Sequence, residues 1–264
     1  MLRRIGRALA RQARRLHPAD RLDPARLIDA ALRFRTRLDQ AKAGIADVPW
    51  YPYDSLMNLY PLRDLLTGDR RFLLDLAGGA PVLDLGCGDG ALAFFLESLG
   101  ATVHAVDNAP TNYNGMRGVR ALKAALGSRA EIFELDLDAR FTLPGAPYGL
   151  ALFLGTLYHL KNPFQALEAM ARQSRHCLLS TRVARVTPGG QVNYHDLPMA
   201  YLLDDREANA DPTNFWIFSE AGLRRILHRS GWDVLAWTTT GDTRASEPAS
   251  ESADERAFCL LRSR

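Results

Sequence analysis

The sequence predicts an α/β protein built on a seven-stranded, mostly parallel sheet with helices on both faces, and three observations predict it. From Pro81 onward, short apolar runs alternate with longer segments of helical periodicity, the pattern of β-α-β units. Glycines follow the first run at once, in Pro81-Val-Leu-Asp-Leu-Gly-Cys-Gly-Asp-Gly90. Carboxylates stand at the ends of later runs, Asp107 and Asp136, where open α/β sheets bind ligands.

Taken in order, strands are expected at 81–85, 101–106, 130–135, 149–154 and 176–183, with two more near 233–239 and 256–262. Helices are expected at 90–99, 114–126, 163–173 and about 219–230. Thr243 to Glu255 reads as a polar loop between the last two strands. The connection at about 184–217 exceeds the ~12–15 residues of an ordinary loop, so it is expected to cover a substrate.

Ahead of this domain, taken as residues 49–264, residues 1–48 read as a basic helical arm. Residues 1–42 hold twelve Lys and Arg against four Asp, a balance of +8, which leaves −5 for the rest of a chain whose net charge is +3. Leu2, Ile5, Leu9 and Leu16 recur near helical spacing, with arginines on the other faces. Pro24 suits the first turn of a second helix running to about Lys42. The Arg-rich, acid-free opening also matches a mitochondrial presequence.

With 47% apolar and 24% charged residues the chain can bury a sizeable core. Its longest nearly uncharged apolar stretch, Tyr148 to Leu160, falls short of the ~20 residues of a membrane-spanning helix. Cys87, Cys177 and Cys259 are odd in number and widely spaced, which argues against a disulfide framework or a zinc site and for a reducing cytoplasm.

The glycine turn is Gly-x-Gly-x-Gly, formed by Gly86, Gly88 and Gly90, with Ala91 where a dinucleotide fingerprint would place its third glycine. Alone, such a turn is weak evidence, with a tight strand-to-helix corner as its alternative. Its companions carry the argument. Asp84, two residues before the turn, attracts a cationic ammonium and repels a phosphate. Asp107 is placed to accept both ribose hydroxyls, beside Asn108. Asp136 can accept an adenine amine while the Leu137 amide meets a ring nitrogen, with Asp138 an alternative to Asp136. Leu154, ending the fourth strand, completes the candidate set. An amine, a ribose and an adenine without a phosphate describe S-adenosylmethionine.

At this point the chain resembles class I S-adenosylmethionine-dependent methyltransferases: Val-Leu-Asp-Leu-Gly-Cys-Gly-Asp-Gly, then Ala-Val-Asp-Asn, Leu-Asp-Leu and Leu-Phe-Leu-Gly-Thr-Leu-Tyr-His, over roughly residues 75–262. The Gly-Thr-Leu-Tyr-His-Leu-Lys-Asn-Pro run and Asp-Pro-Thr-Asn-Phe-Trp-Ile-Phe resemble the branch holding the tRNA wobble-uridine carboxymethyltransferase and its small relatives. The resemblance implies a Rossmann-like sheet with a last antiparallel strand.

Methyl transfer is an in-line displacement, so a base is needed only for a protonated nucleophile. His159 and Tyr158 follow the fourth strand and face the cleft, His195 lies in the long connection, and all three are acid–base candidates. Structural or orienting roles are their alternatives. Tyr194, Asp196, Asn214 and Trp216 are candidates for contacting the acceptor. His195 and Asp196 are too few to define a metal site. Cys87 reads as packing, and Tyr51 and Tyr53 either cover the cofactor or belong to the core.

Three functions compete. The first is methyl transfer to a small-molecule or nucleoside acceptor. The second is a carboxymethyl-type transfer to a tRNA partner, held by the basic arm. The third is a non-catalytic cofactor-binding protein with a membrane- or partner-binding arm.

Overall fold

The computed structural model describes residues 21–264, so the first helix of the expected arm lies outside the described residues. Helix α1 spans Pro24–Ala43, where the Asp23 side chain caps the Arg26 amide at 3.0 Å and proline leads the first turn. Leu27, Ala31, Phe34 and Leu38 form its buried stripe. Phe34 meets Phe95 with ring centroids 5.7 Å apart, so this second helix of the arm packs on the core. Two short helices, α2 (Leu62–Leu65) and α3 (Leu73–Ala77), lead into the sheet.

The sheet then alternates with helices: β1 (Val82–Leu85), α4 (Ala91–Ser98), β2 (Val103–Asp107), α5 (Arg117–Leu126), β3 (Glu131–Glu134), β4 (Tyr148–Leu154), α6 (Pro163–Gln173) and β5 (Ser174–Val183). The chain closes with β6 (Ala200–Leu202), β7 (Trp216–Phe218), α7 (Glu220–Arg229), β8 (Trp232–Gly241) and β9 (Glu255–Ser263). Seven strands form the main sheet in the order β3-β2-β1-β4-β5-β9-β8, with β9 the antiparallel member. Among the described residues nine strands occur instead of seven because β6 and β7 form a hairpin, whose β7 joins β5 at Val183 beyond the end of β4.

Period-two alternation sorts the core into two layers. Val82, Leu150, Leu178 and Leu260 face one way, against α1 to α5. Leu83, Ala151, Leu179 and Leu261 face the other, against α6 and α7. Helices thus cover both faces, as a parallel sheet buried on both sides requires.

Helix α5 begins at 117, three residues later than its pattern suggests. The Asn112 carboxamide oxygen accepts from the Asn114 and Met116 amides, and that of Asn114 from the Gly118 amide, so the preceding residues form side-chain-closed turns.

Candidate functional site

Strand order reverses between β1 and β4, so the exits of β2, β1 and β4 open a crevice at one end of the sheet. The glycine turn, Asp107 and Leu154 are all brought there. Gly86 has φ of +71° and lies so close to Thr156 that a Cβ would sit 2.2 Å from its hydroxyl oxygen. Thr156, which the sequence reading missed, also donates to the Leu85 carbonyl at 3.3 Å, joining the exits of β4 and β1.

Gly88 faces the crevice: a Cβ there would come no nearer than 3.8 Å to the Tyr51 ring. Gly90 does not share that face. The direction a Cβ would take is filled by Val119 and Phe94, at 2.7 and 2.8 Å, so glycine at this position lets α4 and α5 approach.

Asp107 accepts from the Gly88 amide and from the Asn108 amide, each at 2.8 Å. Burial raises its pKa, offset in part by those two amides and by Asn112. Asp84 lies beneath the turn, 3% exposed, and its Oδ2 has no hydrogen-bond partner among the described residues. Burial and then the charge of Asp107 push it up to about 7, with the Ala93 amide opposing. Cys87 is buried and held well above the ordinary thiol range, as a packing residue should be.

The remaining cofactor candidates divide. Asn108 spends its amide on the Thr111 hydroxyl at 3.2 Å. Asp136 is exposed after β3 and accepts from the Asp138 amide at 2.9 Å, while Leu137 is buried beside it. Asp138 accepts from the Asn162 amide at 2.8 Å, which ties this loop to the segment carrying Tyr158 and His159.

That segment, Leu157–His159, is a single helical turn after β4. His159 Nδ1 lies 3.0 Å from the Thr213 hydroxyl, which donates to Asp211 at 2.6 Å. Burial lowers the pKa of His159 and Arg256 lowers it further, against the opposing pull of Asp211 and the Thr213 backbone. Tyr158 is buried, its ring centroid 4.2 Å from that of His159 with the planes tilted by 41°, and its hydroxyl 3.4 Å from Arg256 Nη1. Burial opposes the charge of Arg256, but Tyr158 and Asp254 outweigh it and the guanidinium stays charged. Tyr51 belongs to the same space. Burial first, then Tyr158, Asp107 and Asp211, push its hydroxyl up to about 12.

The connection after β5 carries its own small core of Ala184, Tyr194, Leu203, Ala208 and Ile217, into which Tyr158 inserts. Tyr194 is therefore a buried member of that core. Asn214 is buried and donates to the Ala208 carbonyl at 2.9 Å, and Trp216 Nε1 donates to the Lys161 carbonyl at 3.3 Å. These contacts shape the cover. His195 Nε2 lies 3.7 Å from Glu220 at the start of α7, and the Asp196 side chain is 98% exposed. The His195 carbonyl also accepts from the Ala221 amide at 3.3 Å, which holds this stretch beside α7.

Among the described residues no group of three or more His, Cys, Asp or Glu is placed to hold a metal ion. Nor is any described helix long and apolar enough to cross a membrane. The three cysteines are buried thiols.

The sheet order, the antiparallel β9 and the glycine turn at the β1 exit define a Rossmann-like fold of the methyltransferase class. Solved structures share it. The N-terminal domain of EvdMO1 with SAH bound superposes with a TM-score of 0.53 at 20% identity, over 87% of this chain and 97% of that one. The cyclase SpnF superposes with a TM-score of 0.52 at 14% identity, over 87% and 92%. By sequence, no curated protein matches the chain. A family model described as a methyltransferase domain matches residues 56–236. The chain belongs to this family, within the class I S-adenosylmethionine-dependent methyltransferase superfamily.

Proposed function

We propose that the chain moves a methyl group from S-adenosylmethionine to a small-molecule acceptor by direct in-line displacement. One observation carries this reading: Asp107 engages the glycine turn at the strand-order reversal, near enough for its charge to act on buried Asp84, whose Oδ2 has no hydrogen-bond partner among the described residues. An unpaired buried acceptor is costly, and a nearby ligand ammonium offsets that cost. Asp107 has acceptor capacity left for ribose hydroxyls, Gly88 leaves room for close approach, and Leu137 offers an apolar wall toward the adenine end. Bound S-adenosylmethionine would supply an electrophilic methyl carbon: an acceptor lone pair bonds to it in line as the carbon–sulfur bond breaks and S-adenosylhomocysteine leaves as the neutral thioether, and the chain supplies alignment.

His159 is the base for an acceptor that must lose a proton. Its Nδ1 donates toward the Thr213 carbonyl at 3.2 Å, which assigns the proton to that nitrogen and leaves the Nε2 lone pair free. Because burial lowers its pKa, the imidazole is neutral at pH 7 and loses its base function only below the ordinary histidine range. The buried, reduced cysteines suit a cytoplasmic setting.

The test is transfer of a labelled methyl group into a fractionated extract. Label in small molecules, with an acidic limb in the rate that His159→Ala removes, is the expected result. Label in RNA would move the assignment to the tRNA reading. No label in any fraction, with SAH still bound, would leave a non-catalytic protein, an outcome the fold permits because SpnF is a cyclase.

Arg256 favours a second reading, in which the ligand bears a carboxylate near the transferred group, as a carboxymethyl-type transferase requires. Its guanidinium tip lies beside the Tyr158 hydroxyl and within 3.9 Å of the position a Gly155 Cβ would take, at the exit of β4. A guanidinium paired with a phenol is a carboxylate-recognising set. On this reading Arg256→Ala weakens a carboxylated donor by roughly tenfold or more, the loss of one charge-assisted contact, and leaves SAH affinity unchanged. Equal affinity of the wild type for carboxylated and plain donors would remove it.

A further inference from the structure

We infer that Asp89, between two glycines of the turn, is a positioning residue that holds Tyr51 over the donor and so sets how long the donor stays bound. This rests on the reading of the turn as the donor seat.

Asp89 is 5% exposed. Its Oδ2 accepts from the Tyr51 amide at 2.8 Å and from the Lys42 ammonium at 3.4 Å. Its Oδ1 accepts from the side-chain Nδ2 of Asn114 at 2.7 Å. That nitrogen also donates to the Pro49 carbonyl at 3.1 Å, and the Lys42 ammonium stands 5.1 Å above the Trp50 ring. One carboxylate thus gathers the end of α1, the Pro49–Tyr51 segment and the β2–α5 loop onto the glycine turn. The crowding is tight: a Cβ on Gly118 would sit 2.0 Å from Asp89 Oδ1, so α5 carries a glycine where it passes the carboxylate.

With its amide held by Asp89, Tyr51 projects its ring across Gly88 and meets Tyr113 edge-on at 5.9 Å. Gly88 donates its own amide to Asp107, the ribose-side carboxylate. Two successive residues therefore serve two ends of one site: Gly88 orders the carboxylate that meets the donor, and Asp89 orders the ring that covers it. Hydrogen bonds to a buried charge are about twice as strong as neutral ones, so the aspartate holds the segment where an asparagine would hold it loosely.

The test measures SAH affinity and dissociation rate for wild type, Asp89→Asn, Tyr51→Ala, Tyr51→Phe and the Asp89→Asn/Tyr51→Ala pair. Asp89→Asn and Tyr51→Ala should each raise Kd roughly tenfold through faster dissociation, the loss of one charge-assisted bond or of the ring it places. Tyr51→Phe, which keeps the ring, should stay close to wild type. The pair should be no weaker than Tyr51→Ala alone, because Asp89 acts through that ring. Multiplying effects in the pair would overturn the proposal and make Asp89 an independent structural contact. Unchanged dissociation from Tyr51→Ala, whose partly exposed ring can be removed without opening the core, would overturn it even if Asp89→Asn fails to fold. Loss of SAH binding by the wild type itself would instead overturn the donor-seat reading beneath it.

Discussion

Asp107→Ala is expected to weaken SAH binding by roughly a hundredfold or more, since two charge-assisted hydrogen bonds of about 1.5–3 kcal/mol each are lost. One is the bond to the Gly88 amide, without which the turn loses the partner that orders it. The other is the acceptor capacity offered to ribose. Asp107→Asn, which keeps the size and one carbonyl oxygen, should fall between. Isothermal titration calorimetry decides it, with a melting curve to show that the variant is folded; unaltered affinity in Asp107→Ala would remove the donor site from this crevice. The same titration has a pH signature. Asp84 is held up to about 7 by burial and by Asp107, so below that pH it is protonated and gives the ligand ammonium no charge to meet. Affinity therefore rises as pH rises toward and past about 7, and Asp84→Asn flattens the rise.

Glu255→Ala is expected to destabilise the fold by about 3 kcal/mol, near the lower end of the range for breaking a buried ion pair. Glu255 is fully buried at the start of β9, where Arg185 donates to it twice, at 2.8 and 2.7 Å, and the Ser246 hydroxyl donates at 2.7 Å. These contacts pin the 242–254 loop to the base of the covering connection, which the Arg185 and Val186 amides also join through the Ser246 carbonyl. The Arg185 side chain is 20% exposed, so water solvates part of the orphaned cation and the upper end of the range is not reached. At about 2–4 °C per kcal/mol for a chain of this size, the melting temperature should fall by roughly 6–12 °C. Adding Arg185→Met, which removes the stranded charge, should recover part of that loss; a melting temperature unmoved by Glu255→Ala would show that the pair adds nothing net.

The elements most legible in sequence are those whose signal is local. Asp23-Pro24 starts α1 because a side-chain cap and a fixed φ act within one turn. Ser219 starts α7 by a side-chain cap alone, accepting from the Gly222 amide at 2.9 Å. The strands of the main sheet are short apolar runs and are found within a few residues. The hairpin of β6 and β7 was not legible, because a three-residue strand carries no measurable periodicity and exists only through its partners. The place of His195 was not legible for the same reason: the path into that hairpin sets it beside Glu220 of α7.

By itself, the sequence determined the glycine turn, the carboxylates around it and therefore the donor. Positive φ and close backbone approach are demands on single residues, and only glycine meets them at Gly86. The tertiary structure alone decided which side of that turn each neighbour serves: Gly90 turned to Phe94 and Val119, Asp89 to Tyr51 and Lys42. It also decided that Arg256 joins the site. Arg256 lies 98 residues from Tyr158 in the chain and reaches it only because β9 runs antiparallel beside β5. Backbone conformation is a local property, whereas the facing of a side chain depends on the order in which strands assemble, and no short stretch of sequence records that order.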